Sequence, residues 1–178
     1  NWLMPFQNDI NNILEIGSGA GNKLAQLCWQ LNASGQGVDP SKTAVDFANK
    51  KYNQKCSYTV ATADDLSFFK NKFDLVHFGF CLYLVSRNKI NDVIKQADQL
   101  LKSGKFLSII DFDPHNSYEN EYSHFKGLKS YKENYYKMFC DLGNYSVVNK
   151  FSYSEKSFCF SKNENDRISL VLLFKENK

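Results

Sequence analysis

The stretch NILEIGSGAG, residues 12–21, restricts the fold of this chain more than any other feature. A short apolar run leads into a carboxylate, Glu15, and then glycine returns at every second position: Gly17, Gly19 and Gly21. Apolar residues followed at once by glycines read as a buried strand that ends in a tight turn. Glycine tolerates positive φ and carries no Cβ, so a ligand can touch the backbone there. The next residues, NKLAQLCWQLN at 22–32, space Leu24, Leu27, Cys28 and Leu31 as one face of a helix. Strand, glycine turn and helix in that order aim free N–H groups and a positive dipole end at whatever occupies the turn.

The same alternation continues downstream. GQGV (35–38), ending at Asp39, CSYTVA (56–61), FDLVHF (73–78) and KFLSIIDF (105–112) read as strands. Residues 40–54 read as a helix, opened by Pro40 and Ser41. Residues 88–104 read as an amphipathic helix with Ile90, Val93, Ile94, Ala97, Leu100 and Leu101 on one face, stopped by Ser103-Gly104. Nearly continuous apolar strands alternating with helices predict an α/β fold: a doubly wound, mostly parallel sheet covered on both faces. Residues 113–144 break the pattern and read as a polar, aromatic insertion on the substrate side, with a short helix in YKENYYKMF (131–139). YSVVNKFSYS (145–154) and DRISLVLLFK (166–175) then follow with no helix between them, which predicts an antiparallel pair.

At 178 residues the chain fits one domain and needs no disulfide or metal staple. It starts at Asn1 rather than Met, almost directly on the first strand, so further residues are expected upstream. A net charge of +3 without a basic block argues against nucleic acid as partner. None of the five cysteines forms a CxxC pair, so no metal is expected, and the scattered set suits a reducing, cytoplasmic compartment. No signal peptide is visible, and no apolar run approaches the ~20 residues that span a membrane.

The glycine spacing narrows the ligand. GxxxxGK[ST], the phosphate-cradling loop, is absent. The dinucleotide pattern GxGxxG is not met either, because the third glycine comes one place early. Glu15 directly before the loop repels a pyrophosphate and suits a ligand with a cationic group. Asp39, at the end of the second strand, can accept hydrogen bonds from both hydroxyls of a ribose, each worth about 1.5–3 kcal/mol. ATADDLSF (61–68) brings further carboxylates and backbone N–H groups to the end of the third strand, where an adenine edge can be read.

Taken in order, ILEIGSGAG, GVDPS, ATADDLSFF, FDLVHFGFCLYLV and LLKSGKFLSIIDF resemble the class I S-adenosylmethionine-dependent methyltransferases, over most of the chain. That resemblance implies a seven-stranded sheet of order 3-2-1-4-5-7-6 with strand seven antiparallel. It implies S-adenosyl-L-methionine as cofactor, with Glu15 facing its methionine end and Gly17, Ser18 and Gly19 lining the methionyl and ribose portions. Asp39 would hold the ribose diol, Pro40 the adenine face, Ala63 and Asp64 the adenine edge, and Phe78 the methionyl end. Many relatives carry an Asp directly before the alanine of the third motif; here Thr62 stands there, so Thr62 or Asp64 meets the adenine amino group. The 111–136 region is similar to bacterial methyltransferases found with surface-glycan biosynthesis, which implies a small-molecule or carbohydrate acceptor methylated on oxygen or nitrogen.

An oxygen acceptor benefits from a general base, by a factor of about 10²–10⁴. His115, His124 and Asp113 are the candidates, together with Asp111 at the end of strand five and His77 in strand four. Tyr83, Tyr118 and Tyr122 suit the walls of a sugar or aromatic site. Two other readings stay open: an NAD(P)-dependent oxidoreductase on a Rossmann sheet, and a cofactor-binding partner protein without activity.

Overall fold

A computed structural model describes residues 2–122 and 124–177. Seven strands build one sheet: β1 (Asn12–Ile16), β2 (Ser34–Asp39), β3 (Cys56–Val60), β4 (Phe73–Gly79) and β5 (Leu101–Phe112), then β8 (Tyr145–Ser154) and β9 (Arg167–Lys175). Between them, β6 (Tyr118–Glu121) and β7 (Lys129–Lys132) form a separate hairpin. The sheet order is β3-β2-β1-β4-β5-β9-β8. With the hairpin set aside this is the expected 3-2-1-4-5-7-6. Strands β1 to β5 run parallel, and β9 lies antiparallel to both β5 and β8.

Helices α1 (Asn22–Leu31) and α2 (Lys42–Lys51) cover one face, and α3 (Ile90–Leu100) and α4 (Tyr136–Cys140) the other. Strand alternation sorts the core. Ile13, Leu75, Phe106 and Leu172 meet Leu24, Leu27 and Cys28 of α1, whereas Leu14, Ile16, Val76, Phe78 and Leu107 meet Val93, Ala97 and Phe139. Each such side chain contributes roughly 1.5–3 kcal/mol on burial. Ser41 caps α2, its Oγ accepting from the Ala44 N–H at 3.3 Å.

Two expectations are corrected. The helix expected over 88–104 ends at Leu100, and Leu101 already pairs with Phe73 as the start of β5. Residues 102–105 bulge out of the ladder, and Gly104, at φ +71°, serves that bulge rather than a helix stop. The insertion at 113–144 is ordered as the β6–β7 hairpin, and its helix is shorter than expected, because residues 129–132 are spent on β7.

Candidate active site

A cavity of about 420 Å3 opens beyond the carboxyl ends of β1 to β4, the position where open parallel sheets bind ligands. Gly17 comes from the β1 turn, Asp39 and Pro40 from β2, Thr62, Ala63 and Asp64 from β3. Cys81, Leu84 and Val85 in the turn after β4, with Val93 of α3, complete an apolar wall. The sequence had singled out Gly17, Asp39, Pro40, Ala63 and Asp64, and they meet here. The wall from 81–93 went unnoticed, because nothing local marks which side of that turn faces inward.

The glycine loop is built around Asp39. Its Oδ2 accepts from the Gly19 N–H at 2.8 Å and its Oδ1 from the Ser41 N–H at 2.9 Å. The Gly17 and Ser18 N–H groups both donate to the Val38 carbonyl, at 2.8 and 2.9 Å. Each Asp39 oxygen therefore keeps a lone pair for a ligand hydroxyl. Gly17 is required twice over: its φ is +77°, and a Cβ would stand 2.5 Å from that of Cys81. Gly21, the early third glycine, precedes α1 at φ +83°, where a Cβ would strike the Tyr58 ring at 2.7 Å. Ser18 is buried under the loop against Gly37, with its hydroxyl unpartnered.

Glu15 and Phe78 sit differently from the sequence expectation. Glu15 is 1% exposed, outside the cavity lining, with Oε1 3.9 Å from His77 Nε2 and Oε2 unpartnered. Burial pushes its carboxyl up to about 8, against the Leu24 N–H and the Lys23 charge. At neutral pH it is therefore mostly an uncharged acid, which removes the charge repulsion expected of it. Its register neighbour His77 shares a 2.8 Å hydrogen bond with Ser108, and burial holds it down to about 3. Phe78 is fully buried with its ring against Phe139, because strand alternation turns it into the core. The chain that turns toward the cavity is the stretch after it, where Phe80 adopts φ +68°.

That turn has two sides. Cys81, Leu84 and Val85 line the first cavity, whereas Phe80 and Tyr83 line a second one of about 350 Å3. Phe112, Asn120, Glu121, Tyr122, His124, Ser130 and Lys132 complete it. Asp111 fixes the shared wall: buried at the end of β5, it accepts from the Phe112 N–H at 2.8 Å and the Tyr83 N–H at 3.3 Å. Burial raises its carboxyl to about 7.

The three candidate bases are not brought together. His124 lines the second cavity, its ring against Tyr122. His115 is exposed elsewhere, its backbone N–H donating to Glu164 at 2.7 Å. Asp113 is buried, and both oxygens are taken: Lys150 Nζ and Ser152 Oγ donate to it at 2.6 Å each, and Arg167 Nε lies 3.6 Å away. A carboxylate with both oxygens so engaged ties β5 to β8 and β9 and lines neither cavity, which corrects its reading as a base. Its partners stand 37 to 54 residues downstream, out of reach of local sequence reasoning.

Fold and cavity define a class I methyltransferase domain. A family model described as a methyltransferase domain matches residues 13–104, more than half of the chain, and the chain belongs to that family. Among curated proteins it is similar to the ubiquinone/menaquinone biosynthesis C-methyltransferase UbiE of Rickettsia typhi (strain ATCC VR-144 / Wilmington). The two are 30% identical over 119 residues, 61% of this chain and 47% of that protein, so the chain spans about half of that relative's length. The N-methyltransferase NodS of Bradyrhizobium japonicum WM9, solved with S-adenosyl-L-homocysteine, shares the fold at TM-score 0.71. It is 17% identical, over 94% of this chain and 79% of NodS. The 1,6-didemethyltoxoflavin-N1-methyltransferase of Burkholderia thailandensis reaches TM-score 0.76 at 13% identity, over 99% of this chain and 76% of that one.

Proposed function

We propose that the protein methylates a small-molecule acceptor, with S-adenosylmethionine as methyl donor. The observation that carries this reading is the cavity walled by Gly17, Asp39, Pro40 and Ala63, on a chain of the methyltransferase-domain family. The residues present fit that donor. Gly17 packs so closely on Cys81 that no Cβ fits between them, the Asp39 oxygens keep free lone pairs, and the wall is largely apolar. Bound S-adenosylmethionine supplies a methyl on a sulfonium, whose leaving group needs no proton.

In this reading Asp39 accepts from the ribose diol and Pro40 packs on the adenine. Ala63 reads the adenine edge, with Thr62 or Asp64 at the adenine amino group; Lys89 holds one Asp64 oxygen at 2.6 Å, and the Thr62 side chain also bonds that carboxylate. The backbone of Gly17 to Gly19 and of Gly79 to Cys81 lines the methionyl end, with Glu15 and Ser18 beneath. The acceptor enters on the far side of the 80–84 turn, next to His124. Holding acceptor and donor in line can lower the barrier by up to ~7–11 kcal/mol. A sugar acceptor, as in surface-glycan biosynthesis, is supported by the aromatic wall of Phe80, Phe112 and Tyr122. Five free cysteines suit the cytoplasm. Among the described residues no helix is long and apolar enough to cross a membrane.

Asp39→Ala tests the reading. It is expected to weaken S-adenosylmethionine binding at least tenfold, with near-ultraviolet circular dichroism unchanged; Asp39→Asn, which keeps one acceptor oxygen and loses the other to an NH2 group, is expected to fall between. Unchanged affinity in both removes Asp39 from the ribose site.

A further inference from the structure

Among the described residues the better-covered cationic side chains are Arg87, Lys102, Lys105, Lys132, Lys150, Arg167 and Lys175. All but one have a carboxylate within 4.0 Å: Glu133 for Arg87, Asp74 for Lys102 and Lys105, Asp113 for Lys150 and Arg167, and Asp98 for Lys175. Lys132 is the exception. Its ammonium rests 4.1 Å from the centre of the Phe112 ring and 5.4 Å from that of Tyr118. Asp166 acts on it only from beyond ion-pair distance, and burial lowers its proton affinity. A half-buried cation without a counter-charge is costly, and aromatic faces offset only part of that cost.

The place where this cation stands gives it a use. Lys132 lines the second cavity together with Phe80, Tyr83, Phe112, Tyr122 and His124. The hairpin register pairs Tyr118 with Lys132 and Asn120 with Ser130, so these four share one face. Glu121 also lines this cavity, but the register puts it on the hairpin's other face, and among the described residues no ion pair joins its carboxylate to the Lys132 ammonium. The site thus offers flat aromatic walls, hydroxyl and amide groups, the Glu121 carboxylate at the hairpin edge, and one positive charge held in no ion pair.

We propose that the acceptor is a ring carrying a carboxylate, flat against the aromatic wall with its anionic group on Lys132, which makes Lys132 the specificity-determining residue. This rests on the methyltransferase reading, since the cavity is the acceptor site only if the neighbouring one holds the donor. The ring can be aromatic or a sugar acid. Lys132 binds and positions, and takes no part in the transfer itself.

The test uses the full chain saturated with S-adenosylhomocysteine and three probes at fixed ionic strength: 2-naphthoate, its neutral counterpart 2-naphthamide, and glucuronate. Affinities are read by ligand-observed NMR. At least one carboxylate probe is expected to bind tenfold or more tighter than 2-naphthamide. Lys132→Met is expected to abolish that preference, and Lys132→Arg to keep it, both with unchanged S-adenosylhomocysteine affinity. Preference for naphthoate assigns an aromatic acid, and preference for glucuronate a sugar acid. Equal binding of charged and neutral probes, or a preference that survives Lys132→Met, overturns the proposal. Loss of S-adenosylhomocysteine binding in the wild type strikes the methyltransferase reading instead, and is measured first.

Discussion

Replacing Glu15 by glutamine removes a proton-binding site from the interior without changing its shape. In the folded chain burial holds Glu15 near 8, against an ordinary 4.5. Below 4.5 the group is protonated in both states and has no effect on pH dependence. Above 4.5 the unfolded chain loses the proton while the folded chain keeps it, so wild-type stability falls as pH rises, until the folded group also ionises near 8. Each unit is about 1.4 kcal/mol, and the 3.5 units between the two values set a ceiling of about 5 kcal/mol. The variant carries no such term. Its stability relative to wild type is expected to climb by about 1.4 kcal/mol per pH unit between pH 4.5 and 8 and then level off.

His77 works in the opposite direction. Held at about 3 against an ordinary 6.5, it favours the folded state above pH 6.5, and that stability is lost as pH falls toward 3. Between 4.5 and 6.5 the two slopes cancel in the wild type and only the histidine slope remains in Glu15→Gln. Urea denaturation of both proteins at half-unit steps from pH 4 to 9 gives the difference directly, and other titrating groups drop out of it. A difference constant across pH 5 to 8 would refute the argument, because it would mean that Glu15 ionises in the folded protein as it does in water.

Asp113→Ala is expected to cost about 2–4 kcal/mol of stability, less than a wholly buried pair because Lys150 is partly exposed, and to leave cofactor affinity unchanged. Thermal melts and calorimetry check it, and full stability with lost turnover would restore Asp113 as a base. His124→Ala is expected to lower turnover at least tenfold with unchanged S-adenosylhomocysteine affinity, whereas His115→Ala leaves both unchanged. Equal effects of the two would contradict their placement.

The fold was legible wherever its cause is local. Apolar runs such as FDLVHF give buried strands, and the Leu24, Leu27, Cys28 and Leu31 face gives α1. Strands 145–154 and 167–175 matched their expected bounds to within one residue. What escaped depends on distant partners. The hairpin strands YENE and KSYK have no apolar alternation, and only their pairing makes them strands. Gly104 looks like a helix stop because a bulge and a C-cap both ask for positive φ. In the site, Gly17, Asp39 and Ala63 were visible because the backbone at strand ends positions them. The burial of Glu15, the inward turn of Phe78, the ion pairs of Asp113 and the unpaired charge of Lys132 are all set by residues far along the chain.

The most direct test of the account is calorimetric titration of the purified protein with S-adenosylmethionine, S-adenosylhomocysteine and NADH. Micromolar binding of both adenosyl-sulfur ligands, with none of NADH, is the predicted result. Binding of NADH alone would contradict it and turn the same cavity over to a dinucleotide.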